Sequence, residues 1–107
     1  MLRNRKSSLP PPQGLTEEWD LRLYVAGPTP RSIAAFSNLK RLCEEHLSGH
    51  YRIELVDVLD DPRRARYDEV LAVPTVIRRS PGPAKRVIGD LSDAARVLAE
   101  LSLPVRV

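Results

Sequence analysis

Cysteine is nearly absent from this sequence. Cys43 is the only one in 107 residues, so the chain can form no internal disulfide and carries no pair of thiols for a redox couple. Long apolar runs are missing too: none approaches the roughly 20 residues of a membrane span, and no membrane role is expected. Aromatics number five, one Trp, three Tyr and one Phe, and none is interleaved with the basic residues as a stacking platform, which argues against nucleic-acid binding. Neither sign of charge dominates, with 17 Lys and Arg against 14 Asp and Glu. Arg3, Arg5 and Lys6 cancel Glu17, Glu18 and Asp20, so the net +3 belongs to residues 21–107. There, basic pairs such as Arg63-Arg64 and Arg78-Arg79 mix with acids as a solvated surface does.

The usual catalytic signatures are also lacking. No G-x-x-x-x-G-K-[ST] loop is present to cradle a phosphate, and no G-x-S-x-G elbow. His46 and His50 have the i, i+4 spacing of a helical metal pair, but Ser48-Gly49 should break the helix between them, and no third ligand is evident. Asp60-Asp61 and Asp68-Glu69 are adjacent carboxylates that read as solvated rather than catalytic. No cofactor and no metal are expected.

What is present is enough apolar residue, 42%, for one modest core. Ten prolines have to be placed. MLRNRKSSL begins like the charged region of a signal peptide, but PPPQG follows it, so the expectation is a cytoplasmic protein. Residues 1–18 read as a disordered proline-rich arm, a solvated tail rather than a docking motif, and residues 19–107 as the folded domain.

LRLYVA, from Leu21, is apolar on both alternating faces, as a strand covered on both sides should be. Gly27 ends it, Thr29 can cap a helix, and Pro30 suits the first helical position. Ile33, Phe36, Leu39, Cys43 and Leu47 then mark one buried stripe of a helix of about 17 residues, with Ser48-Gly49 as its stop. Cys43 on that stripe reads as core. YRIELVDVL, residues 51–59, places Tyr51, Ile53 and Leu55 on a covered face and Arg52 and Glu54 on a wetter one, as in an edge strand. Strand, helix and strand in about 38 residues make a right-handed parallel unit.

Asp60-Asp61-Pro62 opens a short charged helix carrying Ala65, Tyr67, Val70 and Leu71. VPTVIRR is a third strand with Pro74 at its start. Across the SPGP turn, AKRVIG is a fourth, antiparallel strand. The last helix is capped by Asp90 or Ser92 and carries Leu91, Ala95, Leu98 and Leu101, with Pro104 beyond it. The order βαβαββα is the thioredoxin arrangement, an α/β fold with a four-stranded mixed sheet in the order 2-1-3-4. Because Val73-Pro74 occupies the position where thioredoxin-like folds commonly carry a cis proline, that bond is expected to be cis. Where thioredoxins hold C-x-x-C, this chain has Gly27-Pro28-Thr29-Pro30. With no sulfur there, the expectation is binding rather than redox chemistry, and no enzyme. A thioredoxin-like oxidoreductase or transferase would need an exposed Cys43 or a glutathione site at Thr29 and Thr75.

Four stretches, LRLYVAGPTPRSI, YRIELVDVLDDP, LAVPTVI and KRVIGDLSD, occur in order over residues 21 to about 103, and through them the sequence resembles the KaiB circadian clock family. The resemblance implies a noncatalytic protein that binds the KaiC ATPase ring, modulates its phosphorylation state or partner recruitment, and forms dimers or tetramers. It also implies fold switching, in which the second half repacks to a βαββααβ ground state, with Pro74, Gly89 and Asp90 as the structural positions. On this reading Pro62, Arg63, Arg66 and Glu69 form the KaiC surface, with Lys85 and Arg86 as secondary contributors, and the strand edge at Arg52 and Glu54 receives a second regulator. A sensor or adaptor module docking on a histidine kinase, or one serving a stress pathway, is the alternative. Cyanobacterial members tend to carry lysine at Glu54 and Glu69 and an acidic C-terminal tail; this chain lacks both and adds the arm, which suggests a noncyanobacterial member.

Overall fold

The first strand, β1 (Trp19–Val25), sends Trp19, Leu21, Leu23 and Val25 into one core, while Tyr24 on its other face is equally buried. A central position follows from that two-sided burial. In the computed structural model, which describes residues 18–104, β1 pairs in parallel with β2 (Tyr51–Asp57) and antiparallel with β3 (Thr75–Ser80). A hairpin brings in β4 (Lys85–Ile88), giving the order β2-β1-β3-β4. The mixed sheet expected from the sequence is therefore present, with β2 at one edge. Residues 1–17 of the proline-rich arm and residues 105–107 lie outside the described residues.

Between β1 and β2 runs α1 (Pro30–Leu47), capped as expected by Thr29, whose Oγ1 accepts from the Ser32 amide at 3.2 Å. It ends at Ser48, which takes the left-handed conformation, and Gly49. Together with α3 (Ala94–Glu100) it covers one face of the sheet, around Leu21, Leu23, Leu39, Cys43, Val76, Val87, Val97 and Leu101. The opposite face holds only a small cluster, Tyr24, Val56, Ala65 and Ile77, under α2 (Pro62–Tyr67).

Several expectations are corrected. On α1 the buried side chains are Ser32, Ala35, Leu39, Leu42, Cys43 and Leu47; Ile33 and Phe36 stand on the β2-side shoulder of the stripe, where the edge strand offers nothing to cover them. For the same reason Leu55 is exposed, and β2 ends at Asp57 rather than at residue 59 because the chain turns there, the Leu59 amide donating to Asp57 Oδ1 at 2.9 Å and the Asp60 amide to its carbonyl at 3.0 Å. The second helix stops at Tyr67, and both Tyr67 and Leu71 are exposed. Its end is fixed by a Schellman pattern: the Val70 amide donates to the Ala65 carbonyl at 2.8 Å and the Glu69 amide to Arg66 at 3.1 Å, with Glu69 left-handed at φ 55°. On α3 the cap is Asp93, accepting from the Arg96 amide, instead of Asp90 or Ser92. The side of α3 that meets the core carries Ala94, Val97, Leu98 and Leu101, so Val97 is buried and Ala95 is exposed, while Leu91 precedes the helix.

Candidate functional site: the face around the second helix

A six-residue helix with one buried side chain, Ala65, does not hold itself in place. Charge does much of the positioning. Arg22 reaches out of β1 with Nε 3.0 Å from Glu54 Oε1 on β2 and Nη1 2.9 Å from Asp68 Oδ2 at the end of α2. Arg64 closes the ring by donating to Glu54 Oε2 at 2.7 Å. The Tyr24 hydroxyl sits between two acceptors, the Asp68 carboxylate and the Arg64 carbonyl. From β4, Arg86 donates to the carbonyls of Asp68 and Glu69 at 2.8 and 3.0 Å. Helix α2 is thus tied to three strands, β1, β2 and β4, by bonds with charged partners, the stronger kind.

The titration behaviour follows from these contacts. The Arg64 bond, aided by Arg22, outweighs partial burial and holds Glu54 below the usual carboxylate range. Burial pushes Asp68 up, but the bonds from Tyr24 and Arg22 and the Arg22 charge together pull it lower. All of these charges are committed to structure. Among the described residues, the charges left free to meet a partner here include Arg63 and Arg66, both exposed on α2 beside the exposed Tyr67, and the exposed Glu69 carboxylate. Depressions of about 380 and 340 Å³ flank the helix, one lined by Arg22, Asp61, Arg63, Arg64 and Tyr67, the other including Glu69, Ile77, Arg79 and Arg86. An exposed face with arginine and tyrosine on a rigid support has the composition of a protein interface.

The residues singled out from the sequence fall into three places. Pro62, Arg63, Arg66, Glu69 and Arg86 gather around α2, and Glu54 joins them through Arg22 and Arg64. Arg52 lies on the same sheet face at the edge, paired with Asp20 at 3.5 Å. Lys85 alternates to the opposite face, one position from Arg86, and is exposed there. Pro74, Gly89 and Asp90 lie together at the far side: Val73-Pro74 is cis, as expected, and the Pro74 carbonyl accepts from the Gly89 amide at 2.9 Å. The Asp90 carbonyl accepts from Asn38 at 2.8 Å, and its carboxylate from the Ser92 amide at 3.1 Å.

Sequence reading missed the supporting residues Arg22, Tyr24 and Arg64, and took Asp68 for a solvated acid. One signal was available: Arg22 and Tyr24 are the only polar side chains within the otherwise apolar run LRLYVA, and a polar group on a covered strand needs a partner.

The cysteine-free junction has no reactive group of its own. Thr29 is spent on its cap and on Ser32, and Thr75 is buried with its hydroxyl donating to the Ala72 carbonyl at 2.6 Å. Cys43 is fully buried, and burial pushes its thiol up to about 12. Among the described residues no three His, Cys, Asp or Glu side chains converge on a point that could hold a metal, and no helix is long and apolar enough to cross a membrane.

Comparison with known proteins follows the same lines. The family model described as the KaiB domain matches residues 22–103. The circadian clock protein KaiB3 of Synechocystis is 41% identical over 83 residues, 78% of this chain and 81% of that protein. The circadian clock oscillator protein KaiB of Microcystis aeruginosa is 46% identical over 83 residues, 78% of this chain and 80% of the relative. Among solved structures, the N-terminal domain of Synechococcus elongatus SasA superimposes with a TM-score of 0.68 at 22% identity, covering 91% of this chain and 93% of that one. Oxidised mitochondrial thioredoxin 3 of Saccharomyces cerevisiae gives 0.64 at 20% identity, covering 81% and 80%. These two structures establish the thioredoxin-like fold.

Proposed function

The chain belongs to the KaiB family, and on that premise we propose that it is a noncatalytic cytoplasmic regulator that docks on a KaiC-type ATPase ring through the α2 face. Docking there modulates the ring's phosphorylation state or its recruitment of further partners. One observation carries the reading: Arg63, Arg66 and Tyr67 stand exposed on a helix that is itself fixed to the sheet by the Arg22, Glu54, Arg64 and Asp68 ring. A recognition face presented in this way loses little conformational freedom on binding.

Among the described residues no strand pairs with the outer side of β2, so the edge at Arg52 and Glu54 offers backbone groups on which a second regulator could add a strand. A sensor module docking on a histidine kinase remains the second reading of the fold. It is the weaker one, because the KaiB relatives share 41% and 46% identity with this chain whereas the SasA domain shares 22%. Switching to a second packing, and assembly into dimers or tetramers, belong to the same proposal and involve the junction at Gly89 and Asp90.

Size-exclusion chromatography with mass detection against the KaiC of the same host tests it. In ATP the chain should co-elute with the ring. The double variant Arg63→Glu, Arg66→Glu should bind at least about tenfold more weakly, the ~1.4 kcal/mol expected from losing exposed arginine contacts. Arg41→Glu, exposed on α1 across the sheet from α2, should bind as the natural chain does. Equal binding by the double variant, or no complex with any KaiC of the host, would refute the reading.

A further inference from the structure

Away from α2, the apolar side chains that the core leaves out gather in one place. Ile33 is 58% exposed, Phe36 37% and Leu55 53%, and with Val25, Gly27 and Pro28 they line a groove of about 290 Å³ between the start of α1 and the end of the edge strand. Its lining is almost wholly nonpolar, with Asp57 at one side. The volume falls at the bottom of the range for small-molecule pockets, so the groove suits a few side chains of a peptide better than a cofactor. Its walls, an aromatic ring flanked by aliphatic groups, are the kind on which a polyproline segment docks without further ordering cost.

The chain carries such a segment. Leu9, Pro10, Pro11 and Pro12 stand in sequence within the arm that precedes β1, and the arm enters the sheet next to the start of β2, where the Trp19 amide donates to the His50 carbonyl at 2.9 Å. The groove is at the opposite ends of the same two strands, beside Val25 and Leu55. From Trp19 to Val25 is about 20 Å at the rise of a strand, and the stretch from Pro12 back from Trp19 can cover about 23 Å when extended. The reach fits. Charge fits as well, since an arm returning along β2 would carry Arg3, Arg5 and Lys6 past the groove toward Asp57, the last residue of β2, and Asp60 and Asp61 in the loop that follows it.

We propose that residues 9–12 of the arm occupy the groove formed by Ile33, Phe36 and Leu55 in the same molecule, screening the apolar flank of the β2 edge. The tether supplies a local concentration that an unlinked peptide would have to match. Any protein that adds a strand at β2 and also covers this groove must first displace the arm. This inference stands apart from the α2 docking reading, and its test involves no KaiC.

Full-length Ser8→Cys protein, carrying a nitroxide at position 8 and uniformly labelled with nitrogen-15, gives the measurement. Cys43 is buried and does not compete for the label. The amides of Ile33, Phe36, Leu55 and Asp57 should lose most of their intensity relative to the reduced, diamagnetic sample, while those of Val87 and Val97 keep theirs. Replacing Pro10, Pro11 and Pro12 with serine should restore the lost intensity. Broadening that is absent, is spread evenly over the domain, or survives the serine replacement overturns the proposal. So does broadening that vanishes on dilution or passes to an unlabelled-arm, nitrogen-15 partner in a mixed sample, since the occupant is then a second copy's arm.

Discussion

Asp68 is a carboxylate that a charged stretch of sequence disguises. Its side chain is 18% exposed and sits between Arg22 and Tyr24. Although burial raises its pKa, the bonds it accepts lower it further, below the ordinary value. A carboxyl depressed on folding contributes stability above its unfolded pKa of about 4, and that contribution is lost as the pH falls through the lower, folded value. Asp68→Asn keeps the shape, removes the charge and leaves Arg22 with Glu54 alone. At neutral pH it should cost about 1–3 kcal/mol, read in thermal melts as roughly 4–8 °C per kcal/mol. The loss should shrink as the pH is taken below about 4. An equal loss at neutral and acid pH would mean that the carboxylate charge does not act as described.

Elements were legible where local chemistry decides them and less so where the neighbourhood does. The caps at Thr29 and Asp61 and the stop at Ser48-Gly49 could be read from residue types and position, whereas the cis bond before Pro74 followed from the likeness to thioredoxin-like folds and the one before Pro81 had no such guide. The parallel crossover from β1 to β2 and the β3–β4 hairpin followed from the order of patterns. Burial at the margins did not. Periodicity identifies a stripe but not where its cover ends, so Ile33, Phe36 and Leu55 were assigned to a core that stops short of them. Tyr67 and Leu71 were misplaced because the Schellman turn at Glu69 uses a non-glycine left-handed residue, for which the sequence has no marker. The candidate site was half visible: its exposed arginines were found, and the buried network supporting them was not.

Gly89 belongs to this level as well. It joins β4 to α3 with φ at +126°, and a Cβ placed there would meet nothing within 4 Å. The cost of a side chain is therefore conformational, about 1–3 kcal/mol. Gly89→Ala should lower the thermal midpoint of the described arrangement. If a second packing lies within a few kcal/mol, the same change, or the charge reversal Asp90→Arg, should raise its population, seen as a second set of amide resonances and altered ring-binding rates. Unchanged spectra and rates in both variants would remove Gly89 and Asp90 from the switching proposal.

As a whole the molecule is divided by its sheet into two unequal faces. One, under α1 and α3, holds the large core and the buried Cys43. The other holds a small cluster and a ring of ion pairs that fixes α2, with Arg63, Arg66 and Tyr67 exposed. Stability is concentrated on the first face and recognition is proposed for the second. Hydrogen exchange of the full chain, alone and with the KaiC ring in ATP, separates the two directly. The account predicts that the complex slows exchange in the α2 region, residues 62–69, and along β2, while the amides of α3 change little. Protection confined to the α1 and α3 face, with residues 62–69 exchanging as they do in the free chain, would contradict it.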